Sequence, residues 1–344
     1  MDPRVSGALA ANGGLITFVQ ALDLGMSPSE VRQLRRQGAW LALRRGVYTT
    51  TELWESLDEW RGRPRLMARA VVVTMKRAWV LSHQSSADEL GVDTLRPPIP
   101  LTHITRPGWT NAWTENGVAH HLAGFRPDQV VDINGVRVLD AARTAIDISR
   151  RYGDMHGLVA CDSAMRIGVS RAALVAAYEP MEQWPGIRAA HTAVRLADGR
   201  AENPHESLGR YLVLEAGIGE PDCQFPIRTS DGIKWCDLRV GNHMIETDGR
   251  VKLQPRSLGG VAEEPPDVVL WKEKARERLV TDRGTVVTRV VWEDYWGRRR
   301  SEAISRLRAD HAESVRRFGA ELAPELAREA AEIRARYGVR RSAP

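Results

Sequence analysis

Cysteine is scarce. Three residues, Cys161, Cys223 and Cys236, lie far apart in 344 and form no CxxC pair, which excludes a disulfide framework and a cysteine-based zinc site. No stretch approaches 18 uninterrupted apolar residues, so no transmembrane helix is expected. The opening "MDPRVSGALAANGG" has no basic segment followed by an apolar one, so no secretory leader is expected and the cytoplasm is the expected compartment. Lysine is also rare: only five of the 49 basic residues are Lys, and four of those five fall between residues 234 and 274. An ammonium is a compact, deprotonatable charge where a guanidinium is not, so that clustering suggests a site with a need for Lys.

What is present is a soluble composition, 43% hydrophobic and 27% charged, over a length that suits two or three domains. Residues 298–344 hold twelve Arg against seven acids, as large an excess as the net +5 of the whole chain. A basic end of this kind suggests nucleic acid, although a solvated amphipathic helix would look the same.

In residues 13–50, an apolar-periodic segment from Leu15 to Leu22 runs into Gly25. Ser27-Pro28-Ser29-Glu30 then starts a helix with a hydroxyl cap, Pro in the first turn and an acid. That helix turns Val31 and Leu34 inward and Arg32, Arg35 and Arg36 outward. "AWLALRRGVYTT" alternates as a hairpin with Arg44-Arg45-Gly46 at its tip. A helix-turn-helix with a wing is the expected fold of residues 1–50, its cations placed for the major groove and for phosphate. The early turn glycine, the Ser-led helix, Gly38 and "RRGVY" resemble the winged helix of AbiEi-type antitoxins, which act as transcriptional repressors. The resemblance implies double-stranded DNA as a partner.

Residues 51–200 read as a mixed α+β scaffold: helical over "RPRLMARAVVVTMKRAWVLSHQSSADELGV" with Ser82-His83 near a turn, strand-like over "IPLTHITRPGWTNAWTENGVAHHLAG", then two or three helices, the last started by Ser170. His120 and His121 are adjacent, and adjacent strand residues face opposite ways, so they are not expected to share a metal. His83 and His103 are expected to be ordinary buried or capping histidines.

From Asn203 the order becomes helix, three strands, helix, strand, the layout of the PD-(D/E)XK nuclease core. Glu206 lies in the first helix, Asp237 in the second strand and Glu246 in the third, within "HMIETDGRVK". Carboxylates on neighbouring strands can converge on one divalent cation, and all-oxygen ligands suit Mg²⁺ or Mn²⁺. Such an ion lowers the pKa of a bound water that attacks phosphate in line, and a nearby Lys stabilises the developing charge. "NPHES", Asp237, "IETDGRVK", "WKEKARERL" and "VVWEDYW" in that order resemble the domain related to very-short-patch-repair endonucleases. The resemblance implies Glu206, Asp237 and Glu246 as site acids, Asp237 and Glu246 as metal ligands, and Asp248 and Lys252 as further site residues. Two positions after Glu246 the motif wants Lys and this chain has Asp248, so the ammonium must come from Lys252, Lys272 or Lys274.

The expected architecture is therefore an α/β multidomain chain: a winged helix (1–50), a mixed α+β scaffold (51–200), a restriction-endonuclease-like αβββαβ core (201–297) and a basic helical tail (298–344). The expected activity is a Mg²⁺-dependent endonuclease in restriction-like defence against foreign or phage DNA. The alternative is a non-catalytic antitoxin-type repressor with a degenerate nuclease core, in which case a cognate toxin is a partner. Repair of mismatched DNA is a third reading. A winged helix reading a palindrome, or a nuclease cutting both strands, would favour a homodimer.

Overall fold

The computed structural model describes residues 2–75, 79–108, 111–248 and 266–338; of Asp248, residues 266–270, Lys272 and Glu273 it describes the backbone element alone. The chain opens with α1 (Pro3–Ala11), β1 (Ile16–Thr17), α2 (Phe18–Asp23), α3 (Pro28–Arg36), β2 (Trp40–Arg44) and β3 (Val47–Thr50), with strand order β1-β3-β2. Ser27 caps α3 as anticipated: its hydroxyl accepts from the Glu30 N–H, and the Glu30 carboxylate accepts from the Ser27 N–H. The segment from Leu15 turns helical only at Phe18, because Thr17 closes a second capping box with Gln20 while Ile16 and Thr17 pair with β3. α1 is an element the sequence reading missed, although Asp2 caps it and Pro3 sits in its first turn. Val5, Leu9, Ile16, Ala21, Val31, Trp40 and Tyr48 form the core of this body.

The middle of the chain supplies α4 (Thr51–Ser56), α5 (Gly62–Val72), β4 (Val80–Leu81), α6 (His83–Leu90), β5 (Thr102–Arg106), β6 (Asn111–Glu115), β7 (Val118–Leu122), β8 (Val130–Ile133) and β9 (Val136–Leu139). Four helices follow: α7 (Ala141–Tyr152), α8 (Asp154–Arg166), α9 (Arg171–Tyr178) and α10 (Ile187–Leu196). The strands make one six-stranded sheet, β6-β7-β5-β4-β9-β8, in which β5 lies parallel to β7 and β4 parallel to β9. One face packs Leu81, Ile104, Val118 and Val138 on α5, and the helices α6–α10 enclose a second core around Ile146, Leu158, Leu174 and Val194.

The last module contains α11 (Pro204–Ala216), β10 (Asp222–Thr229), β11 (Gly232–Val240), β12 (His243–Asp248), α12 (Pro266–Thr281), β13 (Val286–Val291), α13 (Gly297–Phe318) and α14 (Pro324–Tyr337). β10, β11 and β12 pair antiparallel in sequence order, and β13 pairs parallel to β12 after the α12 crossover. Leu208, Leu212, Leu238, Ile245, Val290 and Leu307 fill one face, under α11 and α13. Phe225, Cys236, Met244, Val280 and Ala330 fill the other, under α12 and α14.

Those core memberships expose a break in the sheet. Cys223 pairs with Leu238 and Phe225 with Cys236, yet the two pairs face opposite sides, where regular alternation would put them on one. Between them Gln224 takes φ +51, in the left-handed region that a side chain seldom enters. The irregularity sits at Gln224 and Asp237.

The basic segment, described as far as Gly338, packs on the sheet through both its helices. α13 buries Ala303 and Leu307, and α14 buries Leu326, Ala330 and Ile333. The Arg334 guanidinium reaches Asp222 and the carbonyls of Cys223 and Gln224, beside the break. Asn242, in the turn between β11 and β12, clasps the α13–α14 corner: its Nδ2 donates to the carbonyls of Phe318, Gly319 and Glu321, and its Oδ1 accepts from the Ala323 N–H. The junction between scaffold and last module is likewise packed: Arg210 of α11 forms a buried ion pair at 3.0 Å with Asp162 of α8.

Candidate DNA-binding face and acidic site

The capped start of α3 and the inward placement of Val31 leave Arg32, Arg35 and Arg36 exposed on the opposite surface. Together with Trp40, Leu41 and Ala42 of β2 they border an open concavity of about 580 Å³. Arg45 is exposed in the turn between β2 and β3, as a wing requires. Arg44 departs from expectation: it is half-buried, and burial lowers its pKa. Its charge also acts on His120 of the scaffold, so it belongs to the inner side of the wing rather than to its tip.

In the last module, Asn203 caps α11 by accepting from the N–H groups of His205 and Glu206, which turns Glu206 toward the break in the sheet. Glu206 is 3% exposed. Its carboxylate accepts from the Glu202 N–H at 2.8 Å, Asn203 Nδ2 at 2.7 Å and Gln224 Nε2 at 3.0 Å. Burial first, and then the nearby charge of Asp237, push its pKa up to about 7. Asp237 Oδ2 accepts from both the N–H and the hydroxyl of Thr247, each at 2.7 Å. Thr247 faces α11, where a Cβ on Gly209 would meet its methyl at 2.6 Å; a glycine is what lets the helix come this close.

Glu246, the preceding residue of β12, leaves the strand on the other face. There it pairs with Arg276 of α12 at 3.3 Å, and its charge, after burial, raises the thiol pKa of Cys236. Arg276 also donates to the Trp235 carbonyl at 2.6 Å. The structure thus brings Glu206 and Asp237 together and holds Glu246 across the sheet. Among the described residues these three acids do not form a set of ligand atoms lying within 4.8 Å of one another. The convergence of Asp237 and Glu246 expected from neighbouring strands is absent in this conformation, because the break at Asp237 turns its carboxylate to the α11 side. The Asp248 side chain, Lys252 and the Lys272 side chain lie outside the described residues, and Lys274 is exposed on α12.

Beside Asn203-Pro204-His205 a cleft of about 1080 Å³ opens between scaffold and last module, lined by Trp60, Trp292, Trp296, Arg61 and Arg96. Trp60 is 71% exposed, with the Arg96 guanidinium 5.5 Å from its ring centre. No sequence periodicity marks this cleft, since its walls come from segments more than 200 residues apart.

The scaffold holds one set of side chains that meets the 4.8 Å criterion among the described residues: His83, His103 and His121. His120 and His121 do face opposite ways, as the strand rule predicts: His120 stacks on Trp113, and His121 stacks on His83. His83 and His103 are buried, as expected, and β5, β7 and the start of α6 deliver both rings with that of His121 to one point. Burial is the first cause of the lowered pKa in each, with His121 brought to about 4. All three are neutral bases at physiological pH.

Among the described residues no helix is long and apolar enough to cross a membrane. Two curated relatives, uncharacterised proteins of Mycobacterium tuberculosis strains CDC 1551 / Oshkosh and ATCC 25618 / H37Rv, are each 29% identical over 134 residues, 39% of this chain. Those residues cover 48% of each relative, so the chain spans about half the length of the curated proteins it matches. At the amino end, residues 8–51 match the family described as transcriptional regulator, AbiEi antitoxin, and the matched span is the winged helix with its three outward arginines.

Proposed function

We propose that the winged helix binds double-stranded DNA and that the last module is a Mg²⁺- or Mn²⁺-dependent endonuclease, acting in defence against foreign DNA. The observation that carries this reading is the pairing of buried Glu206 with half-buried Asp237 at the break of an αβββαβ module, where the Asp237 charge makes ionisation of Glu206 costlier. An all-oxygen anionic pair is what a hard divalent ion takes, usually together with waters and substrate phosphate. Asp237 would hold the ion with Glu206 beside it, while Glu246 stays with Arg276 on the other face of the sheet. When bound, the ion supplies charge stabilisation to a phosphodiester and acidifies water. The tryptophan-lined cleft offers faces on which unpaired bases stack, next to Arg61 and Arg96.

The test is cleavage of plasmid and phage DNA by the full chain in Mg²⁺ or Mn²⁺ against EDTA. It is paired with a thermal melt in which Mg²⁺ at ten times its Kd adds about 1.4 kcal/mol of stability. No cutting and no metal-dependent shift would sink the nuclease reading.

A second reading is favoured by the ion pair between Glu246 and Arg276, which leaves the third acid engaged, and by the regulator family matched over residues 8–51. In it the chain is a non-catalytic repressor of antitoxin type that binds its operator equally well with and without metal.

Both readings share the winged-helix surface. Replacing Arg32 and Arg36 together by Ala is expected to weaken DNA binding across sequences and to flatten the slope of log K against log salt by about 1 per arginine. Fluorescence anisotropy over a salt series measures both, and an unchanged slope would place the DNA elsewhere.

A further inference from the structure

The histidine cluster of the scaffold lies outside both readings of the DNA-binding and acidic surfaces. His103 and Thr105 of β5 pair in parallel register with Ala119 and His121 of β7, which puts His103 and His121 on the same face of the sheet. His103 Nδ1 and His121 Nε2 stand 3.0 Å apart. His83 lies over both, its ring centre 4.2 Å from that of His121 and 4.9 Å from that of His103. It takes φ +49, a left-handed conformation unusual for a side-chain-bearing residue, at the start of α6.

Two of the remaining ring nitrogens are engaged in ways that select the ligand atoms. The Tyr152 hydroxyl sits 3.2 Å from His103 Nε2, which leaves Nδ1 to face the cluster. The Ser82 hydroxyl sits 3.0 Å from His83 Nδ1, which leaves His83 Nε2. Outer partners of this kind fix tautomer and ring orientation at metal-bound imidazoles. His103 and His121 are 0% and 9% exposed, whereas His83 and His121 line a cavity of about 320 Å³ together with Asp147, Arg150, Arg151 and Trp184.

We propose that His83, His103 and His121 bind one divalent transition-metal ion, Zn²⁺ being the natural candidate, with a fourth position open to the cavity. Three imidazole nitrogens at tetrahedral sites of one zinc ion, each about 2.0–2.1 Å from it, stand close to the separation seen between His103 and His121. Imidazole donors select zinc, copper, iron or nickel over the hard ions that oxygen donors take, so this site is distinct in chemistry from the acidic one. Three protein ligands and an open position are the arrangement of ions that bind an exogenous group, and Arg151 at the cavity wall favours an anionic one, since Asp147 already pairs with Arg150.

The experiment uses the full chain stripped with chelator and dialysed, titrated with Zn²⁺ by calorimetry and with Co²⁺ by visible spectroscopy. One equivalent of Zn²⁺ and the d–d bands of tetrahedral Co²⁺ are expected. His83→Gln and His121→Gln are each expected to weaken Zn²⁺ binding by about 100-fold or more and to abolish the Co²⁺ bands. Asp237→Ala is expected to leave both signals intact, which separates this site from the acidic one. His103 is enclosed and is left alone; Tyr152→Phe, which keeps all three ligands, is expected to weaken binding by about tenfold. Wild-type protein that takes up no zinc would overturn the proposal and leave a Tyr152–His103–His121 hydrogen-bond chain. Tight binding that survives both glutamine variants would overturn it too.

Discussion

Replacing Asp237 by alanine is expected to lower metal-dependent DNA cleavage by on the order of 10³-fold or more, with DNA affinity unchanged. Asp237 is the carboxylate shared by every element of the acidic site: it takes two hydrogen bonds from Thr247 and raises the pKa of Glu206 from the neighbouring strand. Glu246→Ala is expected to lower cleavage by a different route, since Glu246 lies across the sheet and holds Arg276 there. The two variants therefore make different predictions for the metal-free protein. Loss of Asp237 removes the repulsion on Glu206 and should not lower stability in EDTA by more than about the worth of the two Thr247 bonds, roughly 2–3 kcal/mol. Loss of Glu246 frees an exposed-side arginine and should cost less, about 1 kcal/mol or below. Plasmid cleavage with matched anisotropy and melts measures all of this, and cutting that survives both substitutions would end the nuclease proposal.

The other large effect concerns the joint between scaffold and last module. Asp162→Ala is expected to destabilise the chain by about 3–5 kcal/mol in chemical denaturation, because it leaves the Arg210 charge buried without a counterion. Asp162 is 0% and Arg210 is 4% exposed. Burial pushes the Asp162 pKa up to about 6 even with Arg210 beside it, so desolvation rather than attraction sets the balance. The pair is thus a poor source of stability intact and a costly one broken. Asp162→Leu with Arg210→Met should recover part of the loss, although the Asp198 N–H that Asp162 accepts at 2.6 Å stays unpaired. A loss under about 1 kcal/mol for Asp162→Ala would mean that water reaches the joint.

The winged helix was legible because its signals are local. A Ser-Pro start with Glu three residues on, and a hairpin of alternating residues, each fix a backbone choice within a few positions, and the matched family covers that stretch. The order of helix, three strands, helix and strand was legible for the same reason, since each run shows its period within a few residues. The acidic site was legible only as composition. Positive φ at Gln224 leaves no trace in sequence, since Gln is not a residue that announces a left-handed turn, and the break it marks sends Asp237 and Glu246 to different faces. The packing of α13 and α14 was hidden because an arginine-rich amphipathic helix reads alike whether its apolar stripe meets a sheet or water. His121 was set aside by a correct argument about its neighbour. The alternation that parts it from His120 is what carries it to His103, on another strand, and to His83, on a helix.

The clasp at Asn242 bears on how the last module forms. Its four hydrogen bonds join the β11–β12 turn to backbone 76 to 81 residues later. A hairpin is ordinarily among the earliest structures a chain can reach, in microseconds, because closing it costs little entropy. Here the tip of that hairpin is completed only when a distant corner arrives, and such long-range closure slows folding. The strand that bears Glu246 is thereby anchored by chain 76 or more residues away, so the acidic pocket and the terminal helices depend on one another for their hold.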